Sequence, residues 1–259
     1  MKSPNVSPVR PLEPRQKAIV LGASSGIGEA IARRLAREGY DVALLARRGD
    51  RLQVICDEIN ESGFGMARAY VHDVLMTDQI QGLYRRITSE LGGLDLFVYA
   101  AGVMFPVSDN LHEPDHDTLV LQVNLIGAVL WLSLVSERFL HAGTGHIVGI
   151  GSVAGYRGRR GAPAYAASKA GLHTYLEGLR NRIAHDSVSV TTVVVGQVAT
   201  EMLKNTDRIL RPISILEAAE LIWRGIDGRR QTVFVPAWWA PIALIVRHLP
   251  SFVLRRLNI

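Results

Sequence analysis

A single cysteine, Cys56, in 259 residues excludes an intramolecular disulfide framework and a cysteine-rich zinc site, and no metal is expected. The opening MKSPNVSPVRPLEPRQ holds four prolines and lacks the apolar run that a secretory signal needs. It reads as a flexible leader over residues 1–15, with a cytoplasmic location for the rest. No recognition helix, zinc finger or aromatic–basic strand is present, so a nucleic-acid partner is not expected. The net charge of +5 is too small to argue for one; it suits phosphorylated ligands or an acidic membrane surface. Hydrophobic residues make up 48% of the chain, enough for a large core, and the length suits one α/β domain.

Strand-like and helix-like stretches alternate. Lys17–Leu21, Val42–Ala46, Met66–Val71, Leu94–Ala100, His146–Ile150, Val188–Val195 and Thr232–Val235 read as strands. Ile27–Glu38, Asp50–Glu61, Asp78–Leu91, Asp115–Leu140, Pro163–Ala184 and Glu217–Ile226 read as helices. This alternation implies right-handed βαβ crossovers. The expected architecture is a single Rossmann-type, doubly wound parallel sheet of about seven strands, helices on both faces, over residues 16–236.

The first strand runs into Gly22-Ala23-Ser24-Ser25-Gly26-Ile27-Gly28. Glycines at a strand–helix junction let the backbone approach a pyrophosphate at a helix N-terminus. The second strand ends Leu45-Ala46-Arg47-Arg48, with no carboxylate for an adenosine ribose; Asp41 opens that strand and lies at its wrong end. Two arginines there suit the 2′-phosphate of NADP, unless both are merely solvated.

Tyr165 and Lys169 stand four apart in a helical stretch and share one face. A nearby ammonium favours the phenolate, so the tyrosine pKa is expected to fall from about 10 toward neutrality. Tyr165 then suits proton transfer to a carbonyl oxygen or from an alcohol. Ser152 follows a buried strand at its carboxyl end, and Asn124 lies inside the apolar helix Leu119–Leu134.

Together these residues resemble the short-chain dehydrogenase/reductase family over nearly all of Lys17–Val235. The resemblance implies a tetrad of Asn124, Ser152, Tyr165 and Lys169. In it Tyr165 transfers the proton, Ser152 orients the carbonyl, Lys169 holds the nicotinamide ribose, and Asn124 anchors a relay water. It implies NADP(H) contacts from Gly22, Ser24, Ser25, Gly26, Ile27, Gly28, Arg47, Arg48, Asp73, Val74, Ala100, Ala101, Gly102, Gly196, Val198 and Thr200, besides Tyr165 and Lys169. It also implies a homodimer or homotetramer. Two departures stand out: the family's Asn-Asn-Ala-Gly is Tyr99-Ala100-Ala101-Gly102 here, and its Pro-Gly after the sixth strand is Val195-Gly196.

Thr200–Ser214 lies where that family has a substrate lid. Met202, Leu203, Ile209, Leu210 and Ile213, with Val103, Met104 and Phe105, suggest a hydrophobic pocket, or simply lid packing. Arg157, Arg159 and Arg160 crowd the loop before Tyr165, as solvated charges or as an attraction for an acidic group. The extension 237–259 is apolar, basic and helical in pattern, too short and too charged to cross a bilayer. It suits a peripheral membrane contact, packing on its own domain, or a second subunit. The expected activity is hydride transfer between NADP(H) and a small-molecule alcohol or carbonyl. The alternatives are a non-catalytic NADP(H)-sensing module and a membrane-peripheral scaffold.

Overall fold

The computed structural model describes residues 15–106, 113–183, 187–206 and 209–257. Of the expected leader, residues 1–14 lie outside it; Arg15 is described, with its guanidinium 3.2 Å from the Asp41 carboxylate.

Seven strands form one parallel sheet in the order β3-β2-β1-β4-β5-β6-β7. They are β1 (Lys17–Leu21), β2 (Asp41–Ala46), β3 (Ala67–Val71), β4 (Leu96–Tyr99), β5 (Gly145–Ser152), β6 (Val188–Val195) and β7 (Thr232–Val235). Central strands are covered on both faces, which is why β4 and β5 are buried at every position. The strand order reverses between β1 and β4, and at such a switch point the carboxyl ends of the strands leave a crevice.

Helices α1 (Gly26–Arg37), α2 (Gly49–Ser62) and α7 (Ile215–Asp227) cover one face through Ile31, Leu35, Leu52, Ile55 and Ile222. Helices α3 (Ile80–Leu91), α5 (Gly127–Ala142) and α6 (Pro163–Arg182) cover the other through Tyr84, Ile87, Trp131, Val135, Leu172 and Leu176. Phe97 of β4 stacks on Trp131 at 5.8 Å between ring centroids. Burying side chains of this size supplies about 1.5–3 kcal/mol each, the main term that offsets chain ordering.

The long helix expected over Asp115–Leu140 is interrupted. Helix α4 (Pro114–Leu121) passes through one π-helical turn, Gln122–Ile126, into α5. The run Pro114–Ala142 is long enough to cross a membrane and holds an 18-residue window with a mean hydropathy of 2.0. Its Trp131, Leu132, Val135 and Phe139 are fully buried against the domain, however, so it serves here as a core helix. Two helices follow β7: α8 (Trp239–His248) and α9 (Ser251–Leu257).

Candidate active site

Gly22 follows β1 with φ +89°, and a Cβ there would lie 2.5 Å from the Ala101 nitrogen. A Cβ on Gly28 would overlap the Gly22 carbonyl oxygen, so the turn closes only with glycine at both positions. The turn delivers the chain into α1, whose first N–H groups have no intrahelical partner. Ser25 precedes α1 without capping it. Its Oγ instead accepts from Arg48 Nη2 at 2.6 Å, and Ser24 Oγ accepts from the same nitrogen at 2.9 Å. The end of β2 therefore carries a guanidinium tied to the glycine loop, with Arg47 exposed beside it. Asp41 is occupied at the far end of β2, where Lys17 Nζ donates to it at 2.7 Å. Beyond β3, Asp73 Oδ1 accepts from the Leu75 N–H at 3.1 Å.

These groups border one cleft of about 1700 Å³ along the strand ends. Every residue expected at the cofactor lines it, from Gly22 through Arg48, Asp73 and Gly102 to Thr200. A cradle that side chains would fill, free helix N–H groups and two guanidinium ions fit a phosphorylated dinucleotide.

Ser152, Tyr165 and Lys169 line the same cleft. Pro163 starts α6 at a position where its missing N–H costs nothing. Tyr165, Lys169 and His173 then follow at intervals of four on one face. Lys169 is 5% exposed, and its Nζ donates to the Ile150 carbonyl at 2.9 Å. The ammonium lies 5.8 Å from the centre of the Tyr165 ring. Burial presses the Lys169 pKa down to about 8. The expected fall in the Tyr165 pKa is not found: burial pushes it up, and a hydrogen bond with Ser152 and the charge of Arg159 oppose that only in part. Desolvation of the phenolate therefore prevails. At neutral pH the Tyr165 hydroxyl is therefore an acid that holds its proton.

His173 is a residue that sequence reasoning missed. Its Nε2 accepts the Ser152 N–H at 3.2 Å. Burial and the nearby Lys169 push its pKa to about 4, keeping it a neutral acceptor. A side chain on Gly151 would overlap the His173 ring, and one on Gly155 would lie 2.8 Å from it. The signal in the sequence was a histidine one turn beyond Lys169, on the same face.

Asn124 sits in the π-helical turn, fully buried. Its Oδ1 accepts from the Val103 N–H at 2.7 Å, and its Nδ2 donates to the Val103 carbonyl at 2.9 Å and to Ser168 Oγ at 3.2 Å. The side chain clamps the segment that follows Gly102 instead of satisfying itself locally. Both amide hydrogens are taken, so the side chain does not offer a free donor to the expected relay water.

The other end of the cleft is apolar. Val103, Met104, Met202, Leu203 and Leu210 line it. Phe105 instead stacks on His116 at 3.9 Å, Ile209 is exposed, and Ile213 packs on the core. Trp239, Ile242, Ala243 and Val246 of α8, with Leu254 of α9, complete the wall. A Cβ on Gly196 would overlap the Trp239 indole nitrogen, so α8 rests directly on the loop after β6. Arg157 fastens α8 to the segment after Ser152: its Nη2 donates to the Leu249 carbonyl at 3.1 Å and to Ser251 Oγ at 3.3 Å. It is thus a structural tie, not a solvated loop charge. Arg159 and Arg160 remain on the cleft wall.

Residues 16–209 match the family model of the short chain dehydrogenases. The chain is 30% identical over 245 residues to an uncharacterized oxidoreductase of Mycobacterium tuberculosis, covering 93% of this chain and 97% of the relative. It is 36% identical over 236 residues to an uncharacterized oxidoreductase of Myxococcus xanthus, covering 90% and 92%. The crystal structure of a point variant of actinorhodin polyketide ketoreductase with NADPH superposes with a TM-score of 0.76 at 27% identity, over 85% of this chain and 95% of that one. A short-chain dehydrogenase from Sphingobium yanoikuyae in complex with NADPH shares the fold, with a TM-score of 0.79 at 22% identity, over 91% and 97%. With the glycine loop, the switch-point cleft and the family match in agreement, the chain belongs to the short-chain dehydrogenase family.

Proposed function

We propose that the protein is an NADP(H)-dependent oxidoreductase interconverting a hydrophobic carbonyl compound and its alcohol, with Tyr165 as the proton-transfer residue. The observation that carries this reading is the placement of Tyr165, Ser152 and Lys169 on the wall of the cleft that begins at the glycine loop. The nicotinamide supplies or accepts the hydride, which is chemistry no side chain here provides. The chain's own residues position and polarise. The Tyr165 hydroxyl, hydrogen-bonded with Ser152, donates its proton to the carbonyl oxygen as charge develops there, and Ser152 holds that oxygen. Lys169 places a positive charge beneath the Tyr165 ring and stabilises the phenolate that proton donation leaves. Asn124 and His173 act behind these groups by fixing Val103 and Ser152.

Preference for NADP over NAD is supported by the Arg48–Ser24–Ser25 cluster, by Arg47, and by the NADPH bound in the 27%-identical ketoreductase. A hydrophobic substrate is supported by the apolar wall of Met104, Met202, Leu203, Trp239 and Val246. The test is oxidation of NADPH and NADH, followed by absorbance, against aliphatic, aromatic, steroid and quinone carbonyls. Turnover with NADPH well above NADH is expected. Tight NADPH binding without turnover of any of these classes would contradict the reading and favour a sensor.

A further inference from the structure

Helix α8 has two unlike sides. Trp239 and Ala243 are buried, and with Val246 they face the domain and the cleft. At about 100° per residue, Trp238, Pro241, Leu244, Ile245 and His248 fall on the opposite side. All five are exposed, Leu244 at 58% and Ile245 at 62%. Phe252 on α9 adds an aromatic ring that is 66% exposed. Single exposed apolar residues are ordinary, but a run along one helix is not.

The segment that carries this face is basic, with no acidic residue of its own. Beyond β7 the sequence contains Arg247, Arg255 and Arg256 and no Asp or Glu. Arg247 flanks the apolar side, its guanidinium 6.0 Å from the Tyr156 ring, and Arg256 is exposed.

We infer that α8 docks on an anionic lipid bilayer, its outer side in the acyl boundary and the neighbouring arginines at the level of the phosphates. A second copy of this chain is a poorer occupant. A two-fold contact would gather the arginines of both copies at one seam while α8 and α9 bring no carboxylate of their own to pair them. The inner side of the same helix walls the cleft, so docking would bring that wall to the lipid surface. The inference concerns binding alone and does not depend on turnover.

The experiment is sedimentation of the full chain with vesicles of phosphatidylcholine, alone or mixed with phosphatidylglycerol. The protein is expected to partition onto the mixed vesicles about tenfold more strongly than onto the neutral ones. Leu244→Asp with Ile245→Asp, and separately Arg247→Glu with Arg256→Glu, are each expected to lower that partition by about tenfold. Leu216→Asp, at a residue 73% exposed on α7, is expected to leave it unchanged. Circular dichroism establishes that each variant is folded. Wild-type protein that stays in the supernatant with both vesicles would overturn the inference. So would sedimentation unaffected by either double variant, or lowered equally by Leu216→Asp. Light scattering that shows the Leu244/Ile245 variant losing a subunit, with no vesicle binding by wild type, would assign the face to a second copy and overturn it too.

Discussion

The backbone N–H of Ser152 donates to Nε2 of His173 at 3.2 Å, joining the end of β5 to the face of α6 that also carries Tyr165 and Lys169. A single imidazole thus sets the distance between the serine and the tyrosine. His173→Leu leaves a buried N–H without a partner, a loss of about 1–3 kcal/mol. Its expected effect is a fall in kcat of about tenfold or more with the NADPH dissociation constant unchanged, read from steady-state kinetics and fluorescence titration.

Lys169 carries its own pH signature. Its pKa is pressed from 10.5 to about 8 by burial. Between those values the unfolded chain holds a proton that the folded chain has released, so stability rises with pH across that window. The cost of the buried ammonium is fully present below about pH 8. Lys169→Met removes this titration. The melting temperature of wild type, relative to the variant, is expected to rise from about pH 8 to about pH 10. A constant difference would mean that the lysine is not desolvated.

At the other end of the cleft, Arg48 is held on Ser24 and Ser25 and Arg47 is free to reach a phosphate. Charge-assisted hydrogen bonds contribute about 1.5–3 kcal/mol each. Replacing both arginines by Ala is expected to raise KM for NADPH by about 10- to 100-fold while changing KM for NADH little. Equal losses with both cofactors would point to disruption of the glycine loop instead.

Much of this was legible in the sequence because it rests on local geometry. Gly22, Gly26 and Gly28 declare a tight strand–helix turn, and the spacing of Tyr165 and Lys169 declares a shared helical face. The strands β1 to β7 are short apolar runs between helical periods, so their order along the chain was readable. What escaped depends on packing between distant segments. The fate of Asn124 required knowing that Val103 lies beside the π-helical turn. The direction of the Tyr165 shift required knowing how far burial outweighs the hydrogen bond with Ser152 and the charge of Arg159. Phe105 met His116 instead of the cleft, because periodicity does not say which apolar residue a neighbouring loop will cover.

Trp239 is a further instance, since nothing near it in sequence announces its contact with Gly196. A methyl group on Gly196 would overlap its indole. Gly196→Ala is expected to lower the melting temperature by several degrees and to raise KM for substrate by displacing α8. Adding Trp239→Leu to Gly196→Ala is expected to recover part of the stability, a non-additive pair in a double-mutant cycle. Strict additivity would show that the two residues do not touch.

The role of Tyr165 is tested most directly by Tyr165→Phe, assayed for NADPH binding by fluorescence and for carbonyl reduction by absorbance in the same preparation. The ring and its packing beside Lys169 remain, and only the hydroxyl that carries the proton is lost. Unchanged NADPH affinity with turnover reduced by at least about 100-fold is the expected result. Turnover within about threefold of wild type would remove Tyr165 from the chemistry and contradict the proposed mechanism at its centre.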